Sequence, residues 1–442
     1  MKRQLIFGLG AVVMVAGAGL AYFHQQGTAI PGLAAEPIQQ SVESRIAAWD
    51  STSLAEFAYR RCRLSQGQSR QTCYQEVFLA VTARNQIRLA MDALSVLGRL
   101  DRTTVANGHD LTHVVGINAW TPGEDVGTVY ESCTGLYQSG CYHGVVQAYL
   151  DANGTDSTTV AQVCNLIKAA ETNLWLRFQC VHGIGHGLVN NLSMHLPKAL
   201  AGCDWLVSGW DASSCYGGAF MEFIVAGRGQ AHHPAKRPDS AGSTGTEVEH
   251  GEHHEHQSAD TFAVRNKDDP LYPCSAVGEK YQPACYGMQA GIIYEIVGAD
   301  FRKIAQACDG APAAMRPHCY QGIGTYVSGV VVRNAQKAIT LCNEGSDLHK
   351  RWCFVGVVKN FIDVTAKPDD GLAFCRLIHD QPIEATSCYV AVGEQIAVLH
   401  QGNEERSREC AKAGPAFVGA CRYGAVLTFE RPPNLPVIVP VS

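Results

Sequence analysis

Apolar residues recur at helical spacing in segment after segment of this chain, and all but one of these runs begin beside a cysteine. After Cys353, for example, Gly356, Val357, Phe361 and Val364 fall on one helical face. The cysteines pair along the sequence at nearly fixed intervals: Cys62 with Cys73, Cys133 with Cys141, Cys164 with Cys180, Cys203 with Cys215, Cys274 with Cys285, Cys308 with Cys319, Cys342 with Cys353, Cys375 with Cys388 and Cys410 with Cys421. In the carboxyl half the first cysteines return every 33 to 35 residues (Cys274, Cys308, Cys342, Cys375, Cys410), which is the period of a two-helix repeat. The pattern predicts helical hairpins: the first cysteine near the end of one helix, the second opening the next, and a disulfide within each hairpin. Closing a loop of this size restricts the unfolded chain by roughly 3 kcal/mol.

The second cysteine carries its own signature. An aromatic residue follows it at Tyr74, Tyr142, Tyr216, Tyr286, Tyr320, Phe354 and Tyr389, and glycine stands three residues on at Gly144, Gly183, Gly218, Gly322, Gly356 and Gly424. Glycine inside a helix costs about 1 kcal/mol against alanine. Its recurrence therefore predicts close approach between successive hairpins. Ten hairpins are expected, one of which (residues 85–120) has no cysteine pair and carries His109 and His113 instead.

Two segments break the pattern. Lys2 and Arg3 precede an unbroken apolar stretch, Leu5 to Phe23, near the roughly 20 residues that span a bilayer. Residues 1–37 are accordingly read as a signal-anchor or signal segment with a Gly/Pro-containing tether, its basic end in the cytoplasm. Residues 229–270 have no apolar period and divide 38–228 from 271–442 as a flexible insertion; the Pro-rich tail after Arg431 is expected to run extended over the last hairpin. The fold class is all-α, a right-handed solenoid of about ten hairpins. This period and cysteine logic resembles tetratricopeptide-type helical repeat proteins, most closely disulfide-stapled secreted ones. The resemblance covers about residues 50–430 at the level of architecture, and implies no site residue.

Composition narrows the function. The net charge of −6, from 35 Lys+Arg and 41 Asp+Glu, gives no basic footprint for nucleic acid. Eighteen cysteines point to an oxidising compartment. With the anchor, this places the folded body on the periplasmic or extracellular side of the inner (plasma) membrane, with an envelope protein as the expected partner. No Cys-x-x-Cys occurs, which argues against zinc held by thiolates and against covalently attached haem.

The histidines are the candidate chemistry. Of 17, six lie in the insertion; the other eleven yield two pairs at i,i+4 spacing where chance gives about 0.3, and residues four apart share a helical face. The pairs are His109 with His113 and His182 with His186. His143 and His182 both stand two residues after a second cysteine, and His113 holds the like position in the cysteine-free hairpin. The column then passes to Gly217, Gly287, Gln321 and Val355. Neighbouring helices pack 8–10 Å apart, so these imidazoles are expected to meet. A site for one or two transition metal ions (Zn, Fe, Cu or Mn) is predicted from His109, His113, His143, His182, His186 and Glu222, with Asp110 as a supporting or bridging carboxylate. The Glu/His tract holding His250, His253, His254 and His256 is expected to bind metal loosely. Two functions follow: metal-dependent chemistry or metal handling, and, alternatively, an envelope interaction scaffold without catalysis. No nucleophile elbow, phosphate loop or dinucleotide fingerprint selects an enzyme class.

Overall fold

The computed structural model describes residues 36–227, 262–331 and 333–436. The anchor and tether, most of the insertion and its tract from His250 to His256 lie outside the described residues. Among the described residues there are 23 α-helices and no strand, only an isolated bridge between Asn266 and Asp269. No described helix is long and apolar enough to cross a membrane.

Ten helices form an inner row, numbered along the chain: α1 (Gln68–Thr82), α2 (Gly108–Ala119), α3 (Gly140–Asn153), α4 (Leu174–Asn191), α5 (Gly209–Ala226), α6 (Gln282–Met288), α7 (Arg316–Val330), α8 (Lys350–Asp363), α9 (Pro382–Leu399) and α10 (Val418–Gly424). Each packs on the next in order, and α4 also touches α9. The row therefore bends back on itself, bringing the two halves of the chain face to face.

All nine expected disulfides are present, with Cα–Cα distances of 5.4–5.8 Å, and no cysteine is free. Cys62 joins Cys73, Cys133 joins Cys141, Cys164 joins Cys180, Cys203 joins Cys215 and Cys274 joins Cys285. Cys308 joins Cys319, Cys342 joins Cys353, Cys375 joins Cys388 and Cys410 joins Cys421. In most pairs the first cysteine ends or follows a short outer helix.

The second cysteine does not open its helix as the sequence led us to expect; in most pairs it lies one to two turns inside. Cys285 and Cys319 close the first turn of α6 and α7, whereas Cys73 and Cys388 sit in the second turn of α1 and α9. The connecting residues run on past the end of the outer helix. The inner helix must therefore climb back before its cysteine comes level with its partner. Cys274 is a second departure: among the described residues it sits in consecutive turns, with no α-helix between it and α6.

The recurring aromatic after the second cysteine is buried, and its hydroxyl is satisfied in the hairpins that place an acceptor beside it. Tyr74 donates to Asp101 at 2.9 Å, Tyr320 to Asp309 at 2.9 Å, and Tyr142 to the Cys133 carbonyl at 3.2 Å. A buried phenol needs such a partner.

The recurring glycines are where the inner helices touch backbone to backbone. A Cβ at Gly144 would overlap the His113 carbonyl, at Gly218 the His182 carbonyl, at Gly356 the Gln321 carbonyl and at Gly424 the Val390 carbonyl. Gly116, Gly185, Gly324 and Gly393 return the contact against the carbonyl of the next helix's Cys141, Cys215, Cys353 or Cys421. Only glycine allows this spacing, and the carbonyls it meets include those of the histidine column. The tail from Ala425 is not helical, and Arg431, Leu435 and Pro436 lie over α8, α9 and α10.

Candidate metal centre

His109 and His113 share one face of α2, His143 lies on α3, His182 and His186 on α4, and Glu222 on α5. The glycine contacts hold these four helices so close that the five imidazoles form one cluster. Ring centroids are 5.7 Å apart for His109 and His113, 5.4 Å for His109 and His143, 5.2 Å for His113 and His186, 5.2 Å for His143 and His186, and 4.8 Å for His143 and His182. His113, His186 and Glu222 are fully buried, and His143 and His182 nearly so.

Each of three histidines has one ring nitrogen committed to a neighbour, which sets the role of the other. The Tyr137 carbonyl accepts from His109 Nδ1 at 3.1 Å, the Gln179 amide oxygen from His143 Nε2 at 3.1 Å, and Glu222 Oε2 from His186 Nδ1 at 2.7 Å. The remaining nitrogens, His109 Nε2, His143 Nδ1 and His186 Nε2, then carry lone pairs. His109, His143 and His186 present ligand atoms within 4.8 Å of one another, and so do His113, His186 and Glu222. Either group can close around an ion bound at about 2.0–2.2 Å by small side-chain rotations. His186 belongs to both.

Burial pushes the His143 and His182 imidazoles well below the usual histidine pKa, and the neighbouring imidazoles add to it. Both are neutral at physiological pH, the form that ligates metal. His182 lies tilted beside His143 and against Phe178, the latter at 5.5 Å between ring centroids, but belongs to neither ligand group. Asp110, half-buried on α2, is likewise in neither.

Three supporting residues, Tyr137, Gln179 and Asp363, carry no signal in the sequence. Tyr137, Gln138 and Ser139 have φ of 51°, 57° and 63°, a run of three left-handed non-glycine residues. Such residues cost roughly 1–2 kcal/mol each and cluster at functional sites; this run presents the Tyr137 carbonyl to His109. Gln179, only 1% exposed, holds His143 with its oxygen and turns its amide nitrogen toward Asp363 at the end of α8. Burial pushes Asp363 up to about 6, offset by Gln179 and Trp175. A carboxylate from the other half of the chain thus stands behind a histidine of the cluster, one residue removed.

Comparison of the chain with protein-family models, curated proteins and solved structures gives no match.

Proposed function

We propose that the protein binds a transition metal ion among His109, His143 and His186, with Glu222 orienting His186, and uses it for metal-dependent chemistry or metal handling. The observation that carries this reading is the tautomer pattern. Three imidazoles from three successive helices each donate one N–H to a fixed acceptor, and their other nitrogens belong to one close group. Histidines that merely filled a polar seam would have no reason to share such an arrangement. A carboxylate behind a ligating histidine raises its basicity and fixes its orientation. His113 and Glu222 offer an alternative position around the same His186, whose single lone pair serves one ion at a time. Three imidazoles leave coordination positions for water or substrate, and a bound ion would supply Lewis acidity or redox chemistry. The donor set suits Zn, Fe, Cu or Mn.

The architecture that serves this site is a right-handed solenoid of about ten hairpins, supported by the ordered packing of α1 to α10. Nine disulfides with no free thiol support an oxidising compartment outside the cytoplasm, with the apolar stretch Leu5–Phe23 as its membrane anchor and the envelope as the place of any partner protein. The scaffold reading accounts for the disulfides but leaves five convergent histidines, four of them buried, without a role.

Metal analysis of the full chain tests the proposal. We expect about one ion per chain, falling to a small fraction in His143→Ala plus His186→Ala while the disulfides and helicity persist. A wild-type protein that retains no stoichiometric metal after loading with Zn, Fe, Cu or Mn would sink it.

A further inference from the structure

Beside the histidine cluster the two halves of the chain enclose a chamber of about 460 Å³, within the size range of small-molecule sites. Its two walls differ in chemistry. On one side stand Trp175, Phe178, His182 and Trp210 of α4 and α5, with His143 of α3 beside His182; on the other, α7, α8 and α9 present Gln321, Asn360, Asp363 and Gln395.

The charges exclude most ligand classes. Lys359 is the one Lys or Arg among the described residues lining the chamber, and it is bonded to Glu394 at 2.7 Å. An anionic ligand would find no cation to spare. A purely apolar ligand would seal in Nδ1 of His182, a buried polar atom with no hydrogen-bond partner in the structure, at a cost of about 1–3 kcal/mol. A quaternary or alkyl ammonium is held most tightly where aromatic faces surround it, whereas these aromatics lie along one wall and burial pushes the Asp363 carboxyl opposite toward its neutral form. What fits is a flat molecule with one C–H face for the aromatics and a rim of hydroxyls. Amide side chains both donate to and accept from hydroxyls, and so recognise them without a net charge.

We infer that the chamber binds a neutral, hydroxyl-rich ligand of saccharide type, on the order of one or two sugar rings, with its apolar face on Phe178 and Trp210 and its hydroxyls toward Gln321, Asn360 and Gln395. The ligand lies against His143 and His182, which gives the neighbouring metal centre a substrate class. The binding itself is made by the chamber walls and stands whether or not an ion is bound.

Titration calorimetry and tryptophan fluorescence on the full chain, with and without EDTA, use cellobiose, maltose and N,N′-diacetylchitobiose as probes. At least one should bind below about 10 mM and quench fluorescence, equally in EDTA. Trp210→Ala and Gln395→Ala, both at partly exposed positions that tolerate truncation, should each weaken it about tenfold at unchanged melting temperature. The inference is overturned if none of the three sugars binds, if both variants bind like wild type, if EDTA abolishes binding, or if tetramethylammonium binds more tightly than every sugar. Sugar binding in a chain that fails the metal analysis would leave this inference standing and the metal reading refuted.

Discussion

Gly144→Ala puts the link between helix packing and the histidine cluster to a direct test. The added methyl would overlap the His113 carbonyl and come within 2.6 Å of the Ile117 nitrogen and 2.9 Å of the Gly116 carbonyl carbon. All three are backbone atoms of α2, so no side chain can swing away; the helices must part. Overpacking of this kind costs about 1–3 kcal/mol, and the rigid obstacle argues for the upper end. Alanine returns about 1 kcal/mol of helix propensity, leaving a net loss of about 2 kcal/mol. Parting α2 from α3 also carries His109 and His113 away from His143, and a displacement near 1 Å at such a site costs up to about 100-fold. Gly287→Ala is the control: an added Cβ there meets nothing within 4 Å, so the same substitution should stabilise by up to about 1 kcal/mol. The assays are guanidinium unfolding midpoints under non-reducing conditions and titration with Co²⁺. If Gly144→Ala proves as stable and as tight as wild type, or if the two substitutions act alike, backbone contact is not what sets the cluster's geometry.

Glu222→Gln keeps the shape of the side chain but removes the charge facing His186, and should weaken metal binding about 10–100-fold with the absorption of the Co²⁺ form retained, as checked by competition against a chromogenic chelator. Asp363→Asn should raise stability at neutral pH. Its folded pKa, about 6, lies above the ordinary 3.8, so the protonated carboxyl's contribution is complete below about pH 4 and lost as pH rises through 6. The asparagine variant's advantage should therefore be absent at about pH 4 and level off above about pH 7 near 2–3 kcal/mol, an upper bound because part of the residue faces the chamber; a pH series of melting curves decides it. Replacing Cys164 and Cys180 together by alanine opens the longest disulfide loop, 16 residues, and should cost about 3 kcal/mol, read as a lowered unfolding midpoint.

The cysteine intervals, the aromatic after most second cysteines and the glycine three residues beyond six of them are local and periodic. They determined the helices, the nine disulfides and the close inner packing without reference to anything distant. How deep in its helix each second cysteine sits, as at Cys73 and Cys388, depended on the path of the turn before it and was not legible from the interval. The histidine column was legible, because successive repeats place equivalent positions side by side, and it brought His109, His113, His143, His182, His186 and Glu222 to one place. Only the tertiary structure decided what each does. Tautomers depend on partners such as the Tyr137 carbonyl and Gln179, neither of which occupies a repeating position, and geometry alone leaves His182 and Asp110 outside both ligand groups. The chamber and Asp363 are less legible still. They exist because α4 meets α9 far along the chain, and the curvature that closes this gap accumulates over several helix contacts, each too small to read from the residues that make it.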